Sequence, residues 1–365
     1  MKQIVFFINS LSSGGAEHQL CELANGLAEK EYNITITTFG DLPDHYFLNP
    51  FIRRIRLSPN KSKASKLLSI WKYFLTIETD WVIAFGQRES KFCLLPLLLR
   101  SKNKIHVIAG ERSSTIGMPA IQEFLMMYFL YKRADYIVPN SYSQRDYIVK
   151  KKSNYKKKTI VITNFTDLTK YRAFVLPNSK VIRIAIFGRY SKPKNCLRFV
   201  EAIRILTKKT TCAFIVDWYG NQKSKEGTLN SFYIEMKDKV NQYGLEANLV
   251  LNDHIKNVPE AMILYDAICL PSLWEGFSNS IGEAICCGKP CLVSNVGDNG
   301  IMVHNNVNGF LFDPNKEESI VEAFLSFFAL SREERQRMGD NSRKIAEKLF
   351  NRDVFIEKYI KLIES

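Results

Sequence analysis

Two periodicities alternate along this chain. Short runs of β-branched and aromatic residues give way to longer stretches in which apolar positions recur at helical spacing. Runs of the first kind suit strands buried on both faces of a parallel sheet, and the amphipathic stretches suit the helices that cover it. The pattern occurs twice. It predicts strands at residues 4–8, 33–39, 81–85, 104–109, 135–139 and 159–162, and again at 181–187, 213–218, 248–251, 267–270, 290–294 and 310–312. In the helix after the first strand, Leu20, Leu23, Ala24 and Leu27 share the face that packs on the sheet. Residues 164–179 have mixed polarity, contain Pro177 and read as a linker. Residues 351–365 read as a last amphipathic helix. The expected class is α/β with two Rossmann-like domains, residues 1–170 and 171–350, and with residues 351–365 packing back on the first.

Length supports two cores, because 365 residues exceed what one hydrophobic core usually serves. With 46% apolar and 24% charged residues the composition is that of a globular protein. None of the eight cysteines forms a Cys-x-x-Cys pair, and several lie inside apolar runs such as Ala267-Ile268-Cys269-Leu270. Such thiols act as small hydrophobes, and a reducing compartment is expected. The five apolar residues 4–8 are too few for a signal-peptide core. The densest apolar stretches, residues 92–99 and 124–131, are broken by Pro96 or flanked by charge and fall short of the roughly 20 residues a spanning helix needs. The expected location is the cytoplasm.

Charge is more informative than composition. The net charge is +14, and residues 1–180 hold 27 Lys and Arg against 14 Asp and Glu, while residues 181–365 hold 24 against 23. Residues 51–75 carry seven basic side chains and no acid, interleaved with apolar and aromatic ones, and Lys150, Lys151, Lys152, Lys156, Lys157 and Lys158 form a second cluster. Cations mixed with aromatics suit an anionic membrane surface or a nucleic acid. No recognition helix, zinc spacing or RNA-binding aromatic signature accompanies them, so nucleic acid is not expected.

In open parallel sheets ligands bind at the carboxyl ends of the strands, where helix N-termini offer free N–H groups. One such loop is Leu270-Pro271-Ser272-Leu273-Trp274-Glu275-Gly276-Phe277-Ser278-Asn279-Ser280-Ile281-Gly282-Glu283. Glu275 and Glu283 bracket it as acceptors for ligand hydroxyls, with Ser278 the expected N-cap between them. With the following Ala284, Gly288 and Pro290, this stretch resembles the signature of the retaining GT-B glycosyltransferases of family four. Gly188-Arg189-Tyr190-Ser191-Lys192-Pro193-Lys194 resembles the same family's loop after the first strand of the second domain. The resemblance implies that Arg189 and Lys194 hold the donor diphosphate, with Lys192 as an adjacent competitor. Ser10-Leu11-Ser12-Ser13-Gly14-Gly15-Ala16-Glu17 is similar to the first strand-to-helix loop of the family, and Glu111-Arg112-Ser113 to an acceptor-side loop of members that build bacterial surface polysaccharides.

The resemblance implies a GT-B fold of two Rossmann-like domains facing across a cleft. It implies transfer of a sugar from a nucleoside-diphosphate sugar, UDP favoured over GDP, to a glycan acceptor linked to a lipid diphosphate, with retention of configuration. Glu275, Arg189 and Lys194 would be catalytic. Gly14, Gly15, Gly188, Gly276, Phe277, Ser278, Asn279 and Glu283 would bind the donor, and Glu111 and Arg112 would face the acceptor. No cofactor or metal is expected: the nucleotide sugar is a co-substrate, and the sequence offers no Asp-x-Asp or His/Cys cluster to hold a cation. The basic first domain is expected to rest on the anionic inner face of the cell membrane. Relatives often carry a histidine in the acceptor-side loop; here His106 lies earlier, in the strand. An epimerase or hydrolase on the same scaffold is the alternative reading.

Overall fold

The computed structural model describes residues 1–12, 14–57, 62–100, 105–112, 119–173, 175–223 and 227–365. Ser13, Lys104 and Ser113, which the motifs and strands above include, lie outside the described residues, as does Lys61 of the basic segment. The chain forms two units, the first from residues 1–165 and 352–365, the second from residues 166–351.

Unit 1 is built on strands β1 (Gln3–Ile8), β2 (Asn33–Thr38), β3 (Arg53–Arg56), β4 (Trp81–Phe85), β5 (His106–Glu111) and β6 (Tyr136–Pro139). They pair in parallel in the order β3-β2-β1-β4-β5-β6. β1 is buried from Ile4 to Ile8 because helices cover both faces, which is why its sequence is continuously apolar rather than alternating. β3 departs from that pattern: Arg53-Arg54-Ile55-Arg56 lacks the apolar signature and escapes prediction. It is an edge strand, where charge is tolerated, and Asp44 neutralises Arg54 and Arg56 at 2.9 and 3.1 Å. Residues 159–162 fall short of a strand. They run beside β6 through Ile160 N–H to Ile137 O and Ile162 N–H to Pro139 O, with one bridge at Thr159.

The last helix, Arg352–Glu364, belongs to unit 1 and packs on the helix Gly15–Glu29. A Cβ at Gly26 would sit 2.2 Å from Ile356 Cδ1, so this glycine permits the close approach. Arg352 holds Glu29 at 2.9 Å beside it.

Unit 2 repeats the construction with β7 (Ile182–Phe187), β8 (Phe214–Tyr219), β9 (Leu249–Asn252), β10 (Ala267–Leu270), β11 (Cys291–Ser294) and β12 (Gly309–Phe312). Their order, β12-β11-β10-β7-β8-β9, is the same winding read from the other edge. In each sheet the strand order reverses direction between the first and fourth strands, β1 and β4 or β7 and β10. In open parallel sheets such a switch point, at the carboxyl ends of its strands, is where ligands usually bind. All eight cysteines are free thiols and seven are buried. Among the described residues no helix is long and apolar enough to cross a membrane.

Candidate functional site

At the switch point of unit 2 the loops after β7 and β10 meet. Leu273 N–H donates to Pro193 O at 2.8 Å, tying one loop to the other. The β7 loop turns through the 3-10 segment Lys192–Lys194 and Asn195, which adopts a left-handed conformation at φ 60°. That residue precedes the helix Cys196–Lys209 and is anchored by its own amide to Pro314 O at 2.8 Å. The turn aims Lys194 inward, to within 2.5 Å of Glu275 Oε1, and leaves Lys192 exposed. Lys194 and Glu275 are each 17% exposed, so the pair is shielded but reachable. Ser272 Oγ donates to the same carboxylate oxygen at 2.7 Å and fixes its orientation. Arg189 is exposed at the mouth of this loop, with no ion pair among the described residues. Gly188 lies under the Lys194 stem, its N–H given to Tyr219 O and its carbonyl taking the Trp218 indole at 2.8 Å.

Gly276, Phe277 and Ser278 donate no backbone hydrogen bond among the described residues, although Gly276 O accepts from Asp298 N–H at 3.1 Å. These N–H groups precede the helix Asn279–Cys286, where the helix dipole adds positive potential. Ser278 occupies the N-cap position, but its hydroxyl lies 3.2 Å from Ser280 Oγ rather than capping the helix. Phe277 is buried against Phe350, and Asn279 is exposed at the start of the helix.

Glu283, one turn further on, retains a little solvent contact but is hemmed in by protein. That burial pushes its carboxyl up to about 7, against the opposing effect of a hydrogen bond from the Tyr171 hydroxyl. Tyr171 is held by Arg343, whose Nη1 donates to Tyr171 O at 2.8 Å and to Cys286 O at 2.7 Å. Tyr171, Arg343 and Ser272 escape the sequence reading. Ser272 stands inside the motif, three residues before Glu275, but Tyr171 lies in a stretch that reads as linker, and nothing local marks it.

In unit 1 the double glycine follows β1. Gly14 N–H donates to the Tyr46 hydroxyl at 3.0 Å and its carbonyl accepts from it, and Gly15 opens the helix. Glu111 ends β5 fully buried, its carboxyl taking a hydrogen bond from the Tyr131 hydroxyl. Burial raises it to about 8, with hydrogen bonds from Tyr131 and Gln87 opposing. Arg112 lies 4.1 Å over the Phe85 ring and donates to Asn164 Oδ1 at 3.2 Å and to the Tyr359 hydroxyl of the last helix. His106 is at the exposed start of β5, stacked on Trp81. Among the described residues no three His, Cys, Asp or Glu side chains gather as a metal site.

Residues 167–345, nearly the whole of unit 2 with the Lys194–Glu275 pair inside it, match the family model of the glycosyl transferases group 1. Residues 167–345 belong to this family. Among relatives of the chain, the Escherichia coli UDP-Gal:alpha-D-GlcNAc-diphosphoundecaprenol alpha-1,3-galactosyltransferase is 28% identical over 46% of it. That match spans only 44% of the Escherichia coli protein, under half its length. A Campylobacter jejuni N-acetylgalactosamine-N,N'-diacetylbacillosaminyl-diphospho-undecaprenol 4-alpha-N-acetylgalactosaminyltransferase is 26% identical over 79% of each chain. Among solved structures, HepE from Anabaena in complex with UDP and glucose superposes over the whole of both chains with a TM-score of 0.81 at 17% identity. Sucrose-phosphate synthase from Thermosynechococcus elongatus gives 0.80 over all of this chain, also at 17% identity. These likenesses show the GT-B fold.

Proposed function

We propose that this protein transfers a hexosyl or N-acetylhexosaminyl residue from a nucleoside-diphosphate sugar, UDP preferred, to a glycan carried on a polyprenyl diphosphate. The anomeric configuration is retained. The observation that carries this reading is the convergence of Lys194, Arg189 and the unpaired N–H groups of residues 276–278 on the switch point of unit 2. When the glycosyl bond breaks, the departing diphosphate gains negative charge, and preorganised cations and N–H donors stabilise it where it forms. Glu275 holds Lys194 in place and offers its second oxygen to a sugar hydroxyl. Glu283 accepts from the nucleotide ribose, and Arg112 faces the acceptor.

The donor base and the acceptor class are supported by the relatives' names, two of which specify undecaprenyl-diphosphate glycans and one UDP-Gal. Making an alpha linkage from UDP-Gal is retention, since that donor is itself alpha-linked. Because side chains and backbone supply the positive charge, the reaction needs no divalent cation. The protein works as a peripheral enzyme on the inner face of the membrane that bears its acceptor.

The test is incubation of the purified protein with radiolabelled UDP-Gal, UDP-GalNAc, UDP-GlcNAc and UDP-Glc, with and without a polyprenyl-diphosphate glycan, in EDTA and in Mg²⁺. Acceptor-dependent label in the lipid fraction, equal in both buffers, is expected. Free sugar or an epimerised nucleotide formed without acceptor would mean a hydrolase or epimerase instead, and dependence on Mg²⁺ would overturn the metal-free mechanism.

A further inference from the structure

Unit 1 carries an apolar surface that the transfer reaction does not use. The helical segment formed by Ala120–Leu125, Met126–Leu130 and Tyr131–Arg133 buries Met126, Met127, Leu130 and Tyr131. Its outer side leaves Ile121 84%, Phe124 54%, Tyr128 39% and Phe129 50% exposed. Residues 121, 124 and 128 share a face by ordinary helical spacing. Phe129 joins them because the π-helical turn Met126–Leu130, with its i→i+5 winding, brings Phe129 round to the side of Phe124. The Phe124 ring lies 4.8 Å from Tyr128 and 5.8 Å from Phe129, so these side chains form a continuous patch.

Lysines border it. Lys152 Nζ stands 4.2 Å over the Tyr128 ring and Lys132 Nζ 5.9 Å over Phe129, with Lys150 and Lys151 exposed on the adjoining helix end. Glu123, the acid of this segment, is already engaged by Lys151 at 3.2 Å and by the Tyr147 hydroxyl. The basic segment at residues 51–75 differs. Arg54 and Arg56 share Asp44 and Lys66 pairs with Asp41, so three of its seven basic side chains are engaged within the protein.

We infer that unit 1 docks on an anionic lipid bilayer through this face, with Ile121, Phe124, Tyr128 and Phe129 entering the headgroup region and Lys132, Lys150 and Lys152 meeting lipid phosphates. Aromatic rings with lysines at their margin match the boundary between acyl chains and anionic headgroups. A second copy is a poorer occupant, because a two-fold contact would set these lysines against each other. The inference rests on the proposed membrane-borne acceptor and names the surface that meets the membrane.

The experiment is cosedimentation of the full chain with vesicles of phosphatidylglycerol and phosphatidylcholine, or of phosphatidylcholine alone. Binding to the anionic vesicles only is expected. Phe124→Glu/Phe129→Glu should lower partitioning at least about tenfold. Lys150→Ala/Lys152→Ala should lower it about fivefold per lysine, and Leu68→Glu, on the other basic segment, should leave it unchanged. Absence of wild-type binding, wild-type binding by the Phe124→Glu/Phe129→Glu variant, or loss caused by Leu68→Glu would overturn the assignment. So would a wild-type dimer in sedimentation velocity that Phe124→Glu/Phe129→Glu dissolves without any vesicle binding. UDP titration and transfer to a short-chain acceptor on the same preparations separate the two ideas: intact transfer without docking removes only this inference, and docking without transfer removes only the proposed function.

Discussion

Lys194 and Glu283, the two side chains proposed to hold the nucleotide, sit in opposite environments. Lys194 pairs with Glu275 at 2.5 Å in a loop that water still reaches, which leaves it accessible to the diphosphate of the proposed donor. Lys194→Ala should reduce kcat by about 10²- to 10³-fold, the scale of losing one preorganised donor to developing charge, with an unchanged thermal melt. Glu283 is crowded by protein, and a carboxyl near 7 is partly protonated in the free protein at neutral pH. Its pKa is higher folded than unfolded, so it is a source of stability that fades as pH rises from about 4.5, its ordinary value, through about 7. Ribose hydroxyls donating to it favour the ionised form. Nucleotide binding should therefore release protons near pH 6.5 and strengthen as pH rises to about 7, levelling off above. Titration calorimetry in two buffers of different ionisation enthalpy reads this directly; equal apparent enthalpies would contradict it.

At the level of elements, the alternation of strand and helix signals made the fold class legible, because strands covered on both faces must be apolar throughout. The edge strand β3 was not legible, since an edge needs no such run and its arginines find their acids from tertiary placement. The candidate site divides in the same way. Lys194 and Glu275 are each marked by a local motif, 81 residues apart, while their ion pair exists only because β7 and β10 are neighbours at the switch point. Tyr171 has no local signal at all; Arg343, from the helix Arg332–Leu349, brings it to Glu283. Gly297 shows how closely the loops are fitted. It has φ +55°, and a Cβ there would lie 2.3 Å from Glu275 O and 2.8 Å from Gly276 O. Gly297→Ala should push the Glu275 loop outward and weaken UDP binding about tenfold or more, while Gly227→Ala, which meets nothing within 4 Å but shares the positive φ, controls for backbone strain.

Over the whole molecule, charge and chain path separate the two units. Unit 1 holds 27 basic and 16 acidic residues, unit 2 holds 24 and 21, so the excess lies on the unit that bears the aromatic patch. The chain enters unit 2 after residue 165 and returns at residue 352, making the last helix part of unit 1. Ile356, 1% exposed against Gly26, is the keystone of that return. Ile356→Ala should cost about 2–5 kcal/mol, seen as a lower denaturant midpoint, with UDP affinity of the folded protein unchanged. Nucleotide binding at the β7–β10 switch point of unit 2 is the proposal on which the other predictions depend. Calorimetric titration with UDP and GDP of the wild type, Arg189→Ala and Glu283→Ala, each first shown to be folded, tests it most directly. Saturable UDP binding, tighter than GDP and weakened about tenfold or more by each substitution, is the expected result; binding untouched by both substitutions, or no binding of either nucleotide, would contradict it.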